Sequence, residues 1–455
     1  MALEVVILAA GKGARMKSPL PKVLHTVADM PMLQHVINSA QKLEPVACHV
    51  VVGFGGEQVQ AQLEQPGVQW VEQTEQLGTG HAVLQALPGI AEDSTVLVLY
   101  GDVPLITVET LGELLAKAAN GPALLTAVVA DPSGYGRIER DQQGAVTGVV
   151  EEKDADANQR SINEINTGVL AAPAAQLRRW LPQVENNNKQ GEYYLPDILG
   201  LAVQEGISVA SAQVETEIEV LGVNDRIQLN LVEREFQLRL ARRLMSAGVT
   251  LADAGRFDVR GQLQCGENVF IDVNAVFIGK VSLGNNVRIG ANCVLMDTVL
   301  ADGVEVKPFS HLEKAEAGED CVIGPFARLR PATVLEAGAK IGNFVETKKV
   351  NIGAGSKVSH LSYVGDCDMG SGVNVGAGTV TCNYDGAHKH KTRIGDKVFI
   401  GSNSTLVAPV EIASNGFVAA GSTITKKVAQ DELAVSRTRQ RNIVGWQRPQ
   451  KEVDD

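Results

Sequence analysis

An α/β sheet domain, then a connector helix, then a parallel β-helix of hexapeptide repeats is the fold class that this 455-residue sequence predicts. Three patterns carry that reading. Strand-like and helical runs alternate up to about residue 226, one amphipathic helical run follows, and beyond it aliphatic residues recur every six positions. The expected boundaries are 1–226, 227–247 and 248–455.

The chain opens with VVILAAGKGARMKSPLPKVL, Val5 to Leu24, a β-branched run that ends in a loop bearing glycine and cations. The loop fits neither G-x-x-x-x-G-K-S/T nor G-x-G-x-x-G. Open α/β sheets nevertheless bind ligands at the carboxyl ends of their strands, and backbone N–H groups freed by glycine form a concave anion site. A phosphorylated ligand is the first expectation. VVIL precedes PMLQHVINSAQKL, CHVVVGF precedes EQVQAQL, and VLVLYGD precedes VETLGELLAKAA, an alternation that predicts a parallel sheet with helices on its faces. ALLTAVVA, VTGVVEEK and NTGVLAA follow at less regular spacing and read as substrate-side additions to the sheet.

From Ile227 to Gly248 the period turns helical. Leu229, Val232, Phe236, Leu240 and Leu244 share one face, Glu233, Arg234, Arg239, Arg242 and Arg243 lie mostly elsewhere, and Gly248 is a natural stop. The hexads then place Ile271, Phe277, Leu283, Ile289 and Leu295 inward, after a break Ile323, Leu329, Leu335 and Ile341, and later Ile394, Ile400, Leu406, Ile412, Val418 and Ile424. A weaker set sits two residues earlier, as at Val281, Val287, Val398 and Val410. Each hexad makes a short strand and a turn, and three complete a triangular coil whose narrow core has little room for rings. That accounts for aromatic residues at only 4% of the chain beside 46 glycines. The register breaks again around Thr347 to Gly353 and between Gly376 and Ile394, where GAGTVTCNYDGAHKHK reads as a functional loop ejected from the solenoid.

A net charge of −12 argues against a nucleic-acid partner. Cys48, Cys265, Cys293, Cys321, Cys367 and Cys382 form no C-x-x-C pair, so neither zinc nor a disulfide framework is expected, and free thiols suit a reducing, cytoplasmic location. The first apolar run is too short for a signal peptide and carries Glu4 in place of a basic start. No run approaches membrane-spanning length.

LAAGKGARM, PLPKVLH, EQLGTGHA, LYGDVPL, YGRI, EINTGVL, GEYYLPDI, GPFARLRP, GNFVETKK, SHLSYVGD, NVGAGTVTCNYDG and VAPV together give a chain that resembles, over nearly its whole length, the bacterial bifunctional N-acetylglucosamine-1-phosphate uridyltransferases and glucosamine-1-phosphate acetyltransferases. One departure is Ala14, where the family usually has threonine; the hydroxyl is lost, while phosphate contacts made by backbone N–H groups survive. The resemblance implies a Rossmann-like nucleotidyltransferase domain and a left-handed β-helix. It implies transfer of UMP from UTP to N-acetylglucosamine 1-phosphate in the first, and acetylation of glucosamine 1-phosphate by acetyl-CoA in the second, for peptidoglycan and lipopolysaccharide precursors.

By the same resemblance Leu8, Ala9, Ala10 and Gly11 hold the nucleotide, Arg15 and Lys22 face phosphates, and Gln73, Gly78 and Thr79 read the uracil. Tyr100 and Gly101 lead to Asp102, which with Asn224 holds Mg²⁺, and Gly136, Glu151 and Asn166 fix the sugar. Taken alone, Gln73 or Asn166 reads as a turn or cap residue. Asp102 does not, because it directly follows a strand of the sheet.

In the second domain an attacking amine is an ammonium near neutral pH, so a histidine base is useful, and the resemblance makes His360 that base. It assigns Arg330, Lys348, Tyr363 and Asn374 to the sugar phosphate, and Ala377, Asn383, Tyr384, Ser402, Ala420 and Arg437 to acetyl-CoA, with Asn383 also near the sugar and the Ala377 N–H facing the thioester oxyanion. His388 and His390 read as surface histidines, and Cys382 has nothing basic beside it in sequence to make it a nucleophile. A homotrimer is the expected assembly. Two other readings are a single-activity sugar nucleotidyltransferase whose β-helix is structural or regulatory, and a non-enzymatic assembly module. His360 with the Asn383/Tyr384 loop opposes the first; intact Lys22, Asp102 and Asn224 oppose the second.

Overall fold

The computed structural model describes residues 2–63, 67–119 and 121–449. The chain divides into two units, Met1–Arg239 and Leu240–Asp455. Residues from 450 onward, the end of the expected 248–455 domain, lie outside the described residues.

The first unit is built on a nine-stranded sheet whose main path runs Ala210–Gln213, Ala123–Val128, Glu164–Pro173, Thr95–Tyr100, Leu3–Leu8, Ala47–Val52, Val68–Glu72. Its runs read as continuous apolar stretches because both faces are covered. Val5 and Ile7 pack on one side with Leu33, Val36 and Ile37, and Val6 packs on the other with Val83, Leu177 and Trp180. The pairings along the path are parallel except those of Glu164–Pro173, which is antiparallel to both neighbours. NTGVLAA is therefore a central strand rather than an addition. It follows the Gly136–Arg140 and Val146–Val150 hairpin instead of a helical crossover, which is why its spacing looked irregular.

At the amino end of the central strand, Glu4 is buried and accepts from His49 Nε2 at 2.9 Å, Ala91 N–H at 2.8 Å and Ser94 Oγ at 2.9 Å. Burial alone would raise its carboxyl pKa, but those hydrogen bonds outweigh it and hold the group below its usual range. A depressed carboxyl stabilises the fold above its unfolded pKa and ceases to do so as pH falls through the folded value. Glu4→Gln is expected to lower first-unit stability at pH 7 by about 1–3 kcal/mol and to flatten its loss in acid. Urea unfolding followed through buried Trp180 tests this, and an unchanged midpoint would refute it.

The connector helix runs Arg226–Ser246. Its apolar stripe serves two cores: Leu229, Val232 and Phe236 pack in the first unit, while Leu240, Ala241 and Leu244 belong to the second.

The second unit is a left-handed parallel β-helix. Ile271 pairs with Ile289, Ile289 with Val306, Val306 with Ile323, and Ile323 with Ile341, and all the aliphatic residues named above for the hexads are buried. The break after Leu295 is a shortened corner. Spacing there drops to five, so Leu300, Leu312 and Ala317 face inward out of register with a strict hexad. The expected break at Thr347–Gly353 has the same cause, and no loop leaves the coil. Glu346–Ile352 is a continuous strand, and the inward Thr347 hydroxyl meets that of Thr333 at 3.0 Å. The other break is an ejected loop. Residues 384–389 are exposed, Tyr384 bridges Lys389, and His390 Nε2 lies 2.7 Å from Asp385 Oδ2.

One corner of the β-helix carries an exposed apolar ladder. Phe309, Phe326 and Phe344 stack with centroids 5.0 and 5.2 Å apart, and Leu361 follows on the next coil. All four have left-handed φ, as do Asn274, Asn292, Gly378, Asn403 and Gly421 at the equivalent corners. Asparagine and glycine tolerate that conformation, whereas phenylalanine is strained by it.

Candidate active sites

The first site lies where the strands Leu3–Leu8 and Thr95–Tyr100 end. The chain leaves Leu8 through Ala9, Ala10 and Gly11, and these line an open cleft of about 700 Å³ with Lys22, Gln73, Gly78, Thr79, Tyr100 and Asp102. Gly13 is required here because its φ is 60° and a Cβ would come within 2.5 Å of Lys22 Cβ, so the loop rides directly over the lysine stem.

Lys22 Nζ is ion-paired with Asp102 and donates to Asn224 Oδ1 at 3.2 Å. The Asn224 amide N–H₂ donates to Gly222 O at 3.1 Å, which turns its oxygen toward the lysine, and Val223 N–H donates to Asp102 O at 2.9 Å. Two oxygen donors, 122 residues apart in sequence, thus converge on one cation. A carboxylate and an amide oxygen suit Mg²⁺, which takes the rest of its shell from water and phosphate.

Gln73 is buried and donates to Gly78 O at 3.1 Å, with its nitrogen 3.0 Å from His81 Nδ1. Thr79 Oγ1 accepts from Leu195 N–H at 3.0 Å. Burial, with Glu151 and Asp102 nearby, pushes the Tyr100 phenol well up and keeps it a neutral donor. Behind it the sheet brings Gly136 opposite Asn166, and a Cβ on Gly136 would lie 3.1 Å from Glu151 Oε1. Burial raises the Glu151 carboxyl, as do Asp197, Asp154 and Glu192, and Asp197 is itself pushed up to about 6 by burial and Asp154.

Arg15 is exposed on the Ala14–Met16 turn and does not line the cleft; Ala14 is exposed too. Gly101, Gly136, Glu151, Asn166 and Asn224 also lie outside the cleft wall. Sequence reasoning missed Val23, Gln76, Ala82 and Glu192, which do line it. Gln76 and Glu192 stand within EQLGTGHA and GEYYLPDI, and the backbone contact of Gly80 N–H with Tyr193 O at 2.8 Å, which joins those stretches, has no sequence signal.

In the second unit, four of the expected residues fall on one line. His360, Ala377, Ser402 and Ala420 occupy the same corner on successive coils, since Gly378 N–H donates to His360 O, Asn403 N–H to Ala377 O and Gly421 N–H to Ser402 O. Arg437 Nη1 caps the row by donating to Ala420 O at 2.5 Å. His360 is exposed, and its Nδ1 lies 2.5 Å from Asn343 Oδ1 on the preceding coil.

The face that follows this corner carries Arg330 and Lys348 on adjacent coils, with Arg330 Nη1 paired to Glu346 Oε1 at 2.8 Å. The next outward position is Gly365, where a Cβ would collide with the Tyr363 hydroxyl, so the phenol lies across the gap beside Lys348. Lys389 of the ejected loop and Arg330 push the Lys348 pKa down, which marks a gathering of cations. Lys389 was missed because a loop lysine carries no periodic signal. Asn383 Nδ2 donates to Asp366 Oδ2 at 2.5 Å, Tyr384 is exposed in the loop, and Asn374 heads an outward strand position on the other side of the corner.

Comparison with known proteins matches the MobA-like NTP transferase domain to residues 5–192 and the bacterial transferase hexapeptide (six repeats) to residues 264–296 and 391–426. The chain is 57% identical over 450 residues to the "Bifunctional protein GlmU" of Marinobacter nauticus, covering 99% of each. It belongs to the GlmU family. The proteins of that name from Pseudomonas putida strain GB-1, 57% identical with 99% of each chain covered, and Alkalilimnicola ehrlichii, 55% identical over 100% of this chain and 98% of the relative, agree. The chain is thus a bifunctional transferase, with uridyltransferase and acetyltransferase activities.

Proposed function

We propose that the two residue clusters divide the work, one in each unit. In the first, a phosphate oxygen of N-acetylglucosamine 1-phosphate attacks the α-phosphorus of UTP and pyrophosphate leaves; in the second, the amine of glucosamine 1-phosphate takes the acetyl group from acetyl-CoA. The observation that carries the reading is that sequence-distant residues are brought together twice, Asp102 and Asn224 on Lys22 in the first unit, and Ala377, Ser402 and Ala420 in one row with His360 in the second.

Phosphoryl-type transfer needs positioning and charge neutralisation more than covalent help. Backbone N–H groups of Ala10 and Gly11 receive the triphosphate, since that of Ala9 is taken by Val51 O, and Lys22 shifts from Asp102 to the phosphates. Arg15 supplies further charge from the loop. Gln73, Gly78 and Thr79 take the base, while Gly136, Glu151 and Asn166 take the sugar. Asp102 and Asn224 would hold Mg²⁺, which would supply neutralising charge on the phosphates.

In acetyl transfer His360 removes the proton from the attacking amine. The Ala377 N–H stabilises the oxyanion, and the thioester arm follows the corner past Ser402 and Ala420, with Arg437, Asn383 and Tyr384 beside it. Successive coils stand about 4.8 Å apart, so this row offers an extended acyl carrier a straight track. Arg330 and Lys348 bind the sugar phosphate, while Tyr363 and Asn374 orient the ring.

A homotrimer is part of the reading. The strained Phe309, Phe326 and Phe344 ladder supports it, because an exposed apolar stripe that is costly to hold marks a contact surface. Six free cysteines support a reducing cytoplasm, and among the described residues no helix is long and apolar enough to cross a membrane. Omitting divalent ions is expected to abolish pyrophosphate release and leave release of free CoA thiol intact; equal loss of both would overturn the division, and an active monomer in sedimentation equilibrium would overturn the trimer.

A further inference from the structure

The corner row that holds His360 reads Ala291, Pro308 and Pro325 on earlier coils, then Asn343, His360, Ala377, Ser402 and Ala420. Asn343 departs from the small and apolar residues before it on the coil immediately preceding that of the histidine. The coil-to-coil bond at this corner is made by its backbone, Leu361 N–H donating to Asn343 O at 3.1 Å, so the fold does not need its side chain there. Among the described residues, the side chain's hydrogen bond goes to His360 Nδ1, at 2.5 Å.

A neutral imidazole has one N–H and one lone pair, and the partner of one nitrogen decides which nitrogen remains basic. We infer that Asn343 is a positioning residue for acetyl transfer: its side-chain oxygen accepts the Nδ1–H of His360, fixing the ring's orientation and the tautomer whose Nε2 lone pair receives the amine proton. The inference rests on His360 being the acetyl-transfer base. An amide does this without adding charge. A carboxylate in its place would hold the ring equally well but would also favour the imidazolium, which cannot act as a base.

The test uses the full-length protein. Asn343→Ala is expected to lower acetyl-transfer kcat about 10- to 100-fold, the usual cost of losing an orienting partner, with KM for both substrates little changed. Asn343→Asp should keep the orientation and move the acid limb of the kcat/KM profile to higher pH. Lys340, Glu346, Lys348, Lys349, Lys357, Tyr363 and Asp366 on this and adjoining coils, and Asp385, His388, Lys389 and His390 in the loop, are among the titratable groups that neither change touches, so a moved limb reports on residue 343. Adding Asn343→Ala to His360→Ala should cost little more, since both act through one imidazole. Normal uridyl transfer and thermal unfolding of each variant establish that it is folded. Wild-type kcat in Asn343→Ala, or an unmoved limb in Asn343→Asp, would overturn the inference while a slow His360→Ala left the base assignment standing. Wild-type acetyl transfer in His360→Ala would remove both.

Discussion

Asp102→Ala is expected to lower pyrophosphate release by about 10²- to 10³-fold or more while thiol release stays near wild type. The aspartate follows the Thr95–Tyr100 strand at the sheet's carboxyl edge and meets Asn224 through the Lys22 ammonium. Its removal takes away the one carboxylate at that point of convergence and leaves Lys22 without its ion-pair partner. Asp102→Asn, which keeps the shape and loses the charge, should be nearly as slow, and this separates an electrostatic role from a packing one. A folded Asp102→Ala variant that loses both activities equally would count against two independent sites, because the two clusters belong to separate units.

His360→Ala should produce the mirror image. Loss of a general base lowers kcat by roughly 10²- to 10⁴-fold, and KM for acetyl-CoA should change little because the change leaves the proposed track along Ala377, Ser402 and Ala420 intact. A base must be neutral to act. In the wild type kcat/KM for acetyl transfer therefore rises with pH through an acid limb that should vanish in the variant. Retained uridyl transfer shows that the first unit is intact, and an unchanged thermal unfolding profile shows the same of the β-helix. A folded variant acetylating at the wild-type rate would turn attention to Cys382, which is partly exposed on the same β-helix, or to a substrate-assisted route.

Much of the architecture was legible because it is periodic. All fifteen inward positions marked by the main hexads, from Ile271 to Ile424, fourteen aliphatic and one, Phe277, aromatic, are buried. The breaks in the period were visible too, and what escaped was their cause, which leaves the fold unchanged. A corner one residue shorter shifts Leu300, Leu312 and Ala317 out of register, and an inward threonine at 347 breaks the apolar pattern while remaining in the core. The antiparallel strand Glu164–Pro173 escaped for a related reason: it enters the middle of the sheet from a hairpin, and sheet order is not local information.

The sites divide in the same way. Leu8 to Gly11, Tyr100 and Asp102 stand directly at strand ends, so adjacency along the chain announced them. The alignment of His360, Ala377, Ser402 and Ala420 depends on coils of unequal length, one of them lengthened by the ejected loop, and no fixed spacing reveals it. Asn343 and Lys389 lie one coil and one loop away from residues that motifs identified, and only folding makes them neighbours.

In the proposed division one chain performs two reactions in series, the product of the β-helix being the substrate of the sheet domain. Its most direct measurement is a single vessel containing the purified protein, glucosamine 1-phosphate, UTP and Mg²⁺, to which acetyl-CoA is then added, with pyrophosphate and free thiol followed separately. Negligible pyrophosphate is expected before the addition, then thiol, then pyrophosphate after a lag and never in excess of the thiol. Pyrophosphate released at full rate without acetyl-CoA, or thiol released with no pyrophosphate following, would contradict that division.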